Sequence, residues 1–253
     1  MATLDQYANN YRNIRFERRN GILQMTFHTD DGPLQWGSGP HEEFPRAFAD
    51  VGGDRENRVV ILTGTGEVFS GPQGTAAGAP KRTPEQWDST YWEGKKLLGN
   101  LLDIEVPMIA AVNGPALRHS EIPLLCDIVL ASDTAAFQDS GHFMSNLVPG
   151  DGVHVVYPML LGANRGRYFL LTGQSIAAQE ALSLGLVAEV MPQEALASRA
   201  WELAEQLAEK SDLVLRYTRV ATTQYIKRLM QDLLGYGLAL EGLGSADSLL
   251  RQQ

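Results

Sequence analysis

The chain has 253 residues, of which 44% are hydrophobic and 20% charged, the composition of a globular protein long enough to bury a core without disulfides. Its net charge of −9 opposes nucleic acid, whose phosphates such a surface repels, and its one cysteine, Cys126, lies in an apolar run and reads as a small core residue. No apolar stretch reaches the roughly 20 residues that span a bilayer, and the polar first twelve residues do not read as a signal peptide, so a cytoplasmic protein without a membrane partner is expected.

Residues 14–17 and 22–27 alternate around Arg19-Asn20-Gly21, and Asn-Gly is a strong hairpin signal. Residues 41–51 place Phe44, Ala47, Phe48 and Val51 on one helical face, with His41 at the helix start. The run 59–63 is apolar and β-branched, as a buried strand requires. The loop from Pro72 to Pro84 is expected to be mobile and to cover the site. A helix follows over 84–102, with Pro84 suited to its first turn. Residues 108–112 and 127–131 read as two more buried strands, with Asn113-Gly114-Pro115 breaking the chain between them. Helices are expected over 153–171, 177–184 and 193–209, and a long one within 213–250. Strands alternating with helices, then a helical tail, define an α/β core with a C-terminal helical region.

Loops at strand ends are where α/β proteins place their chemistry. Three of them carry unusual residues: 64–71, 113–121 with Arg118-His119-Ser120-Glu121, and 137–152 with His142 and Pro149-Gly150-Asp151-Gly152. Taken singly these residues have ordinary readings. His142 follows a glycine in a polar loop, as surface histidines do. Asp151 stands in a turn sequence, and His119 fits a core histidine with its hydrogen bonds satisfied. Glu241, on a helix apolar around much of its circumference, needs a polar partner, because an unpaired buried carboxylate is costly.

In order and spacing, 59–71, 110–127 and 137–152, with Leu171-Thr172-Gly173 and Gly185-Leu186-Val187 further on, resemble the crotonase (enoyl-CoA hydratase/isomerase) superfamily over roughly residues 13–195. That resemblance implies a ββα spiral core over 1–195. It also implies a helical region over 196–253 within the same folding unit, and trimers that often pair into hexamers. The departures from the pattern are informative. Where the family has a glycine-rich stretch whose backbone N–H helps form an oxyanion hole, this chain has Arg118-His119-Ser120. In the other oxyanion loop Phe69-Ser70-Gly71 runs into Pro72, which has no N–H. Coenzyme A thioester binding is thereby in doubt.

His119, with Trp36, His41, His142, Asp151 and Glu241, resembles the β-diketone hydrolase branch of that superfamily. The branch hydrolyses carbon–carbon bonds between two carbonyls. The resemblance implies His119 and Trp36 at a substrate oxygen, His142 as base oriented by Asp151 and in contact with Glu241, and His41 at the substrate, without a cofactor. The roles of the two histidines could be exchanged. Glu121 matches a family glutamate whose aim in the shortened loop is open. On paper His119, Glu121, His142 and Asp151 also suit a two-histidine, carboxylate metal site, although the resemblance implies none. Other readings are an acyl-CoA hydratase, isomerase or thioesterase, a non-catalytic scaffold, and a metal-dependent oxygenase.

Overall fold

In the computed structural model of the chain, residues 2–72 and 82–250 are described. A first turn of helix, α1 (Leu4–Tyr7), leads into a hairpin of β1 (Ile14–Arg19) and β2 (Ile22–Phe27), whose turn places Asn20 and Gly21 at positive φ, as the Asn-Gly pair predicts. There follow α2 (Ser38–Gly53), β3 (Val59–Gly64), α3 (Pro84–Leu102), β4 (Met108–Val112), the one-turn α4 (Glu121–Leu124) and β5 (Ile128–Ser132). The two-residue strands β6 (Ala136–Phe137) and β7 (Ile176–Ala177) pair with each other. Between them lie a 3₁₀ turn (Phe143–Ser145), α5 (Val153–Leu161) and α6 (Ala163–Thr172). The chain continues through α7 (Ala178–Ser183), β8 (Glu189–Met191), α8 (Gln193–Ala208) and the 39-residue α9 (Asp212–Leu250).

The main sheet has the order β1-β2-β3-β4-β5-β8, parallel except for the hairpin. Successive side chains in a strand point to opposite faces, and the two faces divide the core. Ile22, Val59, Ile61, Ile109, Ala111 and Leu130 pack against Leu196, Ala200 and Ala204 of α8. Their neighbours Leu23, Val60, Leu62, Ala110 and Val129 belong to the larger cluster on the other face. That cluster also takes in Leu97, Leu98 and Leu101 of α3 and Ile226, Met230, Leu234 and Leu238 of α9. Cys126 is buried within it, as expected.

Three sequence expectations need correction, and a fourth falls on residues outside those described. The helix of 153–171 is two helices, because Gly162, at φ 81° and ψ 154°, is outside the helical region and separates α5 from α6. The strand expected at 127 starts at Ile128, because Asp127 has another task. Its carboxylate accepts from the Met108 N–H at 2.7 Å and pairs with the buried Arg219 of α9. The helix expected to begin at His41 begins at Ser38, so His41 faces inward from its first turn. Most of the loop 72–84, including 73–81, lies outside the described residues.

Asn113 explains the break after β4. Its side chain accepts from the Gly64 N–H at 2.9 Å and donates to the Gly66 carbonyl at 2.7 Å, tying the ends of β3 and β4 together. At Gly114 a Cβ would sit 1.9 Å from the Glu67 carbonyl oxygen, so no side chain fits. Replacing Asn113 by alanine removes both of these hydrogen bonds, each worth about 0.5–1.5 kcal/mol. It is expected to cost about 1–3 kcal/mol in denaturant unfolding.

Candidate active site

Four loop segments lie side by side at the ends of the strands. Trp36 N–H donates to the Gly71 carbonyl at 2.9 Å, and Gly71 N–H returns to Leu34 at 2.8 Å. Leu117 N–H donates to the Ser70 carbonyl at 2.9 Å, and Gln138 N–H to Ala116 at 3.1 Å. The Ser70 hydroxyl donates to the Arg118 carbonyl at 2.6 Å. Residues distant in sequence are thereby set in a row: Trp36, then the segment before Pro72, then Arg118 and His119, then Asp139 to His142. The α9 helix closes the site with Glu241, and the segment before α5 brings Asp151.

These side chains line one cavity of about 250 Å³, with Arg82, Trp87 and Leu238 completing its apolar and basic sides. All six residues singled out from sequence, Trp36, His41, His119, His142, Asp151 and Glu241, are on its wall. His119 adopts a left-handed conformation, φ 48°, which costs a residue bearing a Cβ about 1 kcal/mol. Glycine would adopt that conformation freely, so the chain accepts strain to place an imidazole here.

Asp151 stands between the two imidazoles. Its Oδ2 is 3.2 Å from His142 Nε2 and 3.4 Å from His119 Nδ1. His119 Nδ1 is closer still to Glu121 Oε1, at 2.7 Å, and its Nε2 is 3.4 Å from His41 Nε2. Glu121, left open by the sequence, is therefore the carboxylate that seats His119. Glu241 Oε1 lies 3.5 Å from His142 Nε2. The other nitrogen of His142 is 2.6 Å from Oδ1 of Asp139, a residue that the sequence reading passed over. Trp36 stacks against His119 with ring centroids 4.1 Å apart. The indole N–H of Trp36, Nδ1 of His41 and one oxygen each of Glu121, Asp139, Asp151 and Glu241 are buried with no hydrogen-bond partner among the described residues. Such groups are costly to leave unmade, and those facing the cavity are what a polar ligand would satisfy.

Burial opposes the charged form of His142, yet Asp139, Asp151 and Glu241 hold it well above the usual imidazole range. Burial likewise opposes charge on His119, and Glu121 and Asp151 raise it nonetheless. His41, buried and next to His119, is pushed down to about 3 and stays neutral. Burial would raise Asp151, but the attraction of His142 and His119 holds it below the usual carboxylate range. Glu121 and Glu241 are raised by burial. The wall thus offers cationic or neutral imidazoles, one fixed carboxylate, and two carboxyl groups that can carry protons, a set suited to moving protons at a bound carbonyl.

In the loop before Pro72, the backbone donors that the family uses for thioesters are spent. Phe69 and Ser70 N–H both point to the Pro115 carbonyl, at 3.0 and 3.2 Å, Gly71 N–H goes to Leu34, and Pro72 has none. Ligand atoms of His119, Glu121 and Asp151 lie within 4.8 Å of one another, the spacing of a metal-capable group. The short His119–Glu121 contact engages two of those same atoms with each other.

The chain belongs to the enoyl-CoA hydratase/isomerase family, the crotonases, whose sequence profile matches residues 17–234. A short-chain enoyl-CoA hydratase from Clostridium acetobutylicum is 30% identical over 237 residues, 90% of this chain and 86% of that protein. An (E)-benzylidenesuccinyl-CoA hydratase from Thauera aromatica is 34% identical over 210 residues, 82% and 81% of the two chains. Among solved structures, a β-diketone hydrolase from the cyanobacterium Anabaena, bound to (S)-3-oxocyclohexyl acetic acid, is 51% identical. It superposes with a TM-score of 0.92 over 96% of this chain and 97% of its own. The mixed α/β architecture with its parallel sheet and long C-terminal helix is the crotonase fold.

Proposed function

We propose that this chain is a β-diketone hydrolase, which splits the carbon–carbon bond between two carbonyls by adding water. The observation that carries this reading is the pair of imidazoles, His119 and His142, set either side of Asp151 in a cavity where the backbone amides of Phe69 to Gly71 are already occupied. The Anabaena enzyme, half identical to this chain, supports it through its ligand, a cyclohexanone bearing an acetic acid arm. Hydrolysis of a bicyclic dione, with both carbonyls on one bridgehead carbon, yields that kind of keto acid.

In this reading the substrate's oxygen lies against Trp36 Nε1, which has no hydrogen-bond partner among the described residues, and His119. His142 in its neutral form takes a proton from water through Nε2, and the hydroxide adds to the second carbonyl carbon. The tetrahedral intermediate collapses to a carboxylic acid as the carbon–carbon bond breaks. The bonding pair moves onto the first carbonyl as an enolate, which Trp36 and His119 hold. His142 returns its proton to the enolate carbon. General-base assistance of this kind is worth roughly 10²–10⁴-fold. Removing only the indole donor, by Trp36→Phe, is expected to lower kcat about 10- to 100-fold, with the stacking on His119 kept.

The test is incubation with cyclic and open-chain β-diketones while the enol absorbance is followed, with a product one water heavier by mass spectrometry. Absence of turnover by folded protein on every diketone tried would end this reading. Turnover is expected to survive a chelator, since no step uses a metal; loss of activity with EDTA, with oxygen consumed, would point to the oxygenase reading. The curated relatives act on coenzyme A thioesters by name, so a hydratase is the second reading. Turnover of enoyl-CoA with diketones untouched would select it. For assembly, the exposed Leu213, Val214, Tyr217 and Tyr225 of α9 favour a trimer or a dimer of trimers, to be read by sedimentation.

A further inference from the structure

Asp139 is a buried carboxylate with no part in the scheme above, and its Oδ1 makes one of the closest side-chain contacts in the site, 2.6 Å to His142 Nδ1. We propose that Asp139, not Asp151, is the positioning residue of His142: it fixes the ring through Nδ1 and reserves Nε2 for the reacting water. The proposal rests on the hydrolase reading and deepens it.

The two nitrogens of His142 face different surroundings. Among the described residues Nδ1 pairs with Asp139, whereas Nε2 meets Asp151 at 3.2 Å and Glu241 at 3.5 Å. A base must present its free nitrogen to water, and Nε2 is the one on the side where carboxyl groups from two segments, Asp151 and Glu241, converge. A carboxylate on that side competes for the proton-transfer position and cannot also serve as the orienter behind the ring. Asp151 is moreover shared with His119, at 3.4 Å, and has a second, unpartnered oxygen, Oδ1. That oxygen is suited to holding the water itself.

The segment around Asp139 is also fixed. Ser140 donates to the Leu117 carbonyl through both its N–H, at 3.2 Å, and its hydroxyl, at 2.6 Å. The His142 carbonyl accepts from the Ser145 and Leu147 N–H groups at 2.7 and 3.0 Å. Orienting a base needs a partner that does not move with the substrate, and this segment is tied to the loop after β4 at Ser140 and folded back on itself after His142. Charged and titratable groups reach the ring from every neighbouring element. Asp139 comes from its own segment, Asp151 from the segment before α5, His154 from the first turn of α5, and Glu241 from α9; Arg118 with His119 comes from the loop after β4, and His41 from α2. Removing Asp139 takes away the nearest of the anions that favour the imidazolium, so the pH at which His142 loses its proton must fall.

Two measurements test this. Without substrate, the Nδ1 proton shared with Asp139 is expected as a far-downfield imidazole resonance in the wild-type proton NMR spectrum, absent from Asp139→Asn and from His142→Asn. With a turned-over diketone, Asp139→Asn is expected to lower kcat at least 100-fold with KM changed less than threefold. Its acid limb is expected to move to lower pH, and Asp139→Glu to restore the limb and part of the rate. A resonance that persists in Asp139→Asn, or a variant with kcat within threefold and an unmoved limb, overturns the proposal. If Asp139→Asn does not fold, the wild-type spectrum against His142→Asn decides: no His142-dependent downfield proton means no such pairing. Failure of the wild type on all diketones defeats the hydrolase reading instead, and leaves the resonance to decide the pairing.

Discussion

Replacing His142 by asparagine is expected to reduce kcat for β-diketone hydrolysis by about 10³-fold, with the protein still folded. Asparagine can still donate to Asp139, so the buried carboxylate at 2.6 Å keeps a partner, and only the proton-accepting nitrogen is lost. A double variant with Asp151→Asn is expected to be little worse than the single one. Groups that act on one water fail together rather than additively. The pH profile gives a second reading of the same residue. His142 must be neutral to take a proton, and its carboxylate neighbours hold it well above the ordinary 6.5. The acid limb of kcat/KM is therefore expected above 6.5, with activity rising toward alkaline pH. The stability sign runs the other way. A raised folded-state value means that the charged ring stabilises the fold fully below about 6.5, and that this contribution is lost as pH rises through the folded value. Activity and stability are expected to diverge at alkaline pH, in rate profiles and in thermal melts. Retention of more than a tenth of wild-type kcat in His142→Asn would remove His142 from the mechanism.

Much of the scaffold was legible because strands advertise their period and turns their backbone needs. Val59 to Leu62 and Met108 to Val112 had to be buried on both faces, and they are. Asn20-Gly21 fixed the hairpin turn. The elements that escaped notice are those without a period of their own. β6 and β7 are two residues each, too short for any pattern, and they exist because the chain ends they join are already adjacent. The break at Gly162 was hidden because one residue alone separates α5 from α6, and a single glycine does not say which conformation it will take.

At the site, spacing alone could not separate Asp139 from Asp151 as the partner of His142. One is three residues before it and the other nine after, and either loop could turn toward the ring. The choice is made by long-range bonds, Ser140 to Leu117 among them, which have no local signature. Glu121 was undecided for the same reason. Its aim depends on the positive φ of His119, which turns the chain so that a residue two places on can reach back to Nδ1. The resemblance to β-diketone hydrolases located Trp36 and Glu241, which no local pattern joins to the histidines.

Gly150 is where the two halves of the site are held together, and Gly150→Ala is expected to damage fold and chemistry at once. A Cβ there would lie 2.2 Å from the carbonyl oxygen of Gly237 and 2.8 Å from Cβ of Glu241, so α9 must move away. The obstacle is backbone, not the end of a flexible side chain, and Gly237 in turn has no room for a side chain against His154 and the Gly150 carbonyl. Overpacking of this kind costs about 3 kcal/mol, seen as a lower denaturation midpoint. The displaced helix carries Glu241, and the residue after Gly150 is Asp151, so both groups on Nε2 of His142 shift. A misplacement of about 1 Å costs on the order of 10²-fold in rate, and kcat is expected to fall by more than tenfold in whatever fraction stays folded. The matched control is Gly99→Ala, inside α3, where a Cβ meets nothing within 4 Å. There the helix gains about 0.5–1 kcal/mol and kcat is expected to stay unchanged. Wild-type stability and rate in Gly150→Ala would mean that α9 is not seated by that contact, and that Glu241 reaches His142 by some other constraint.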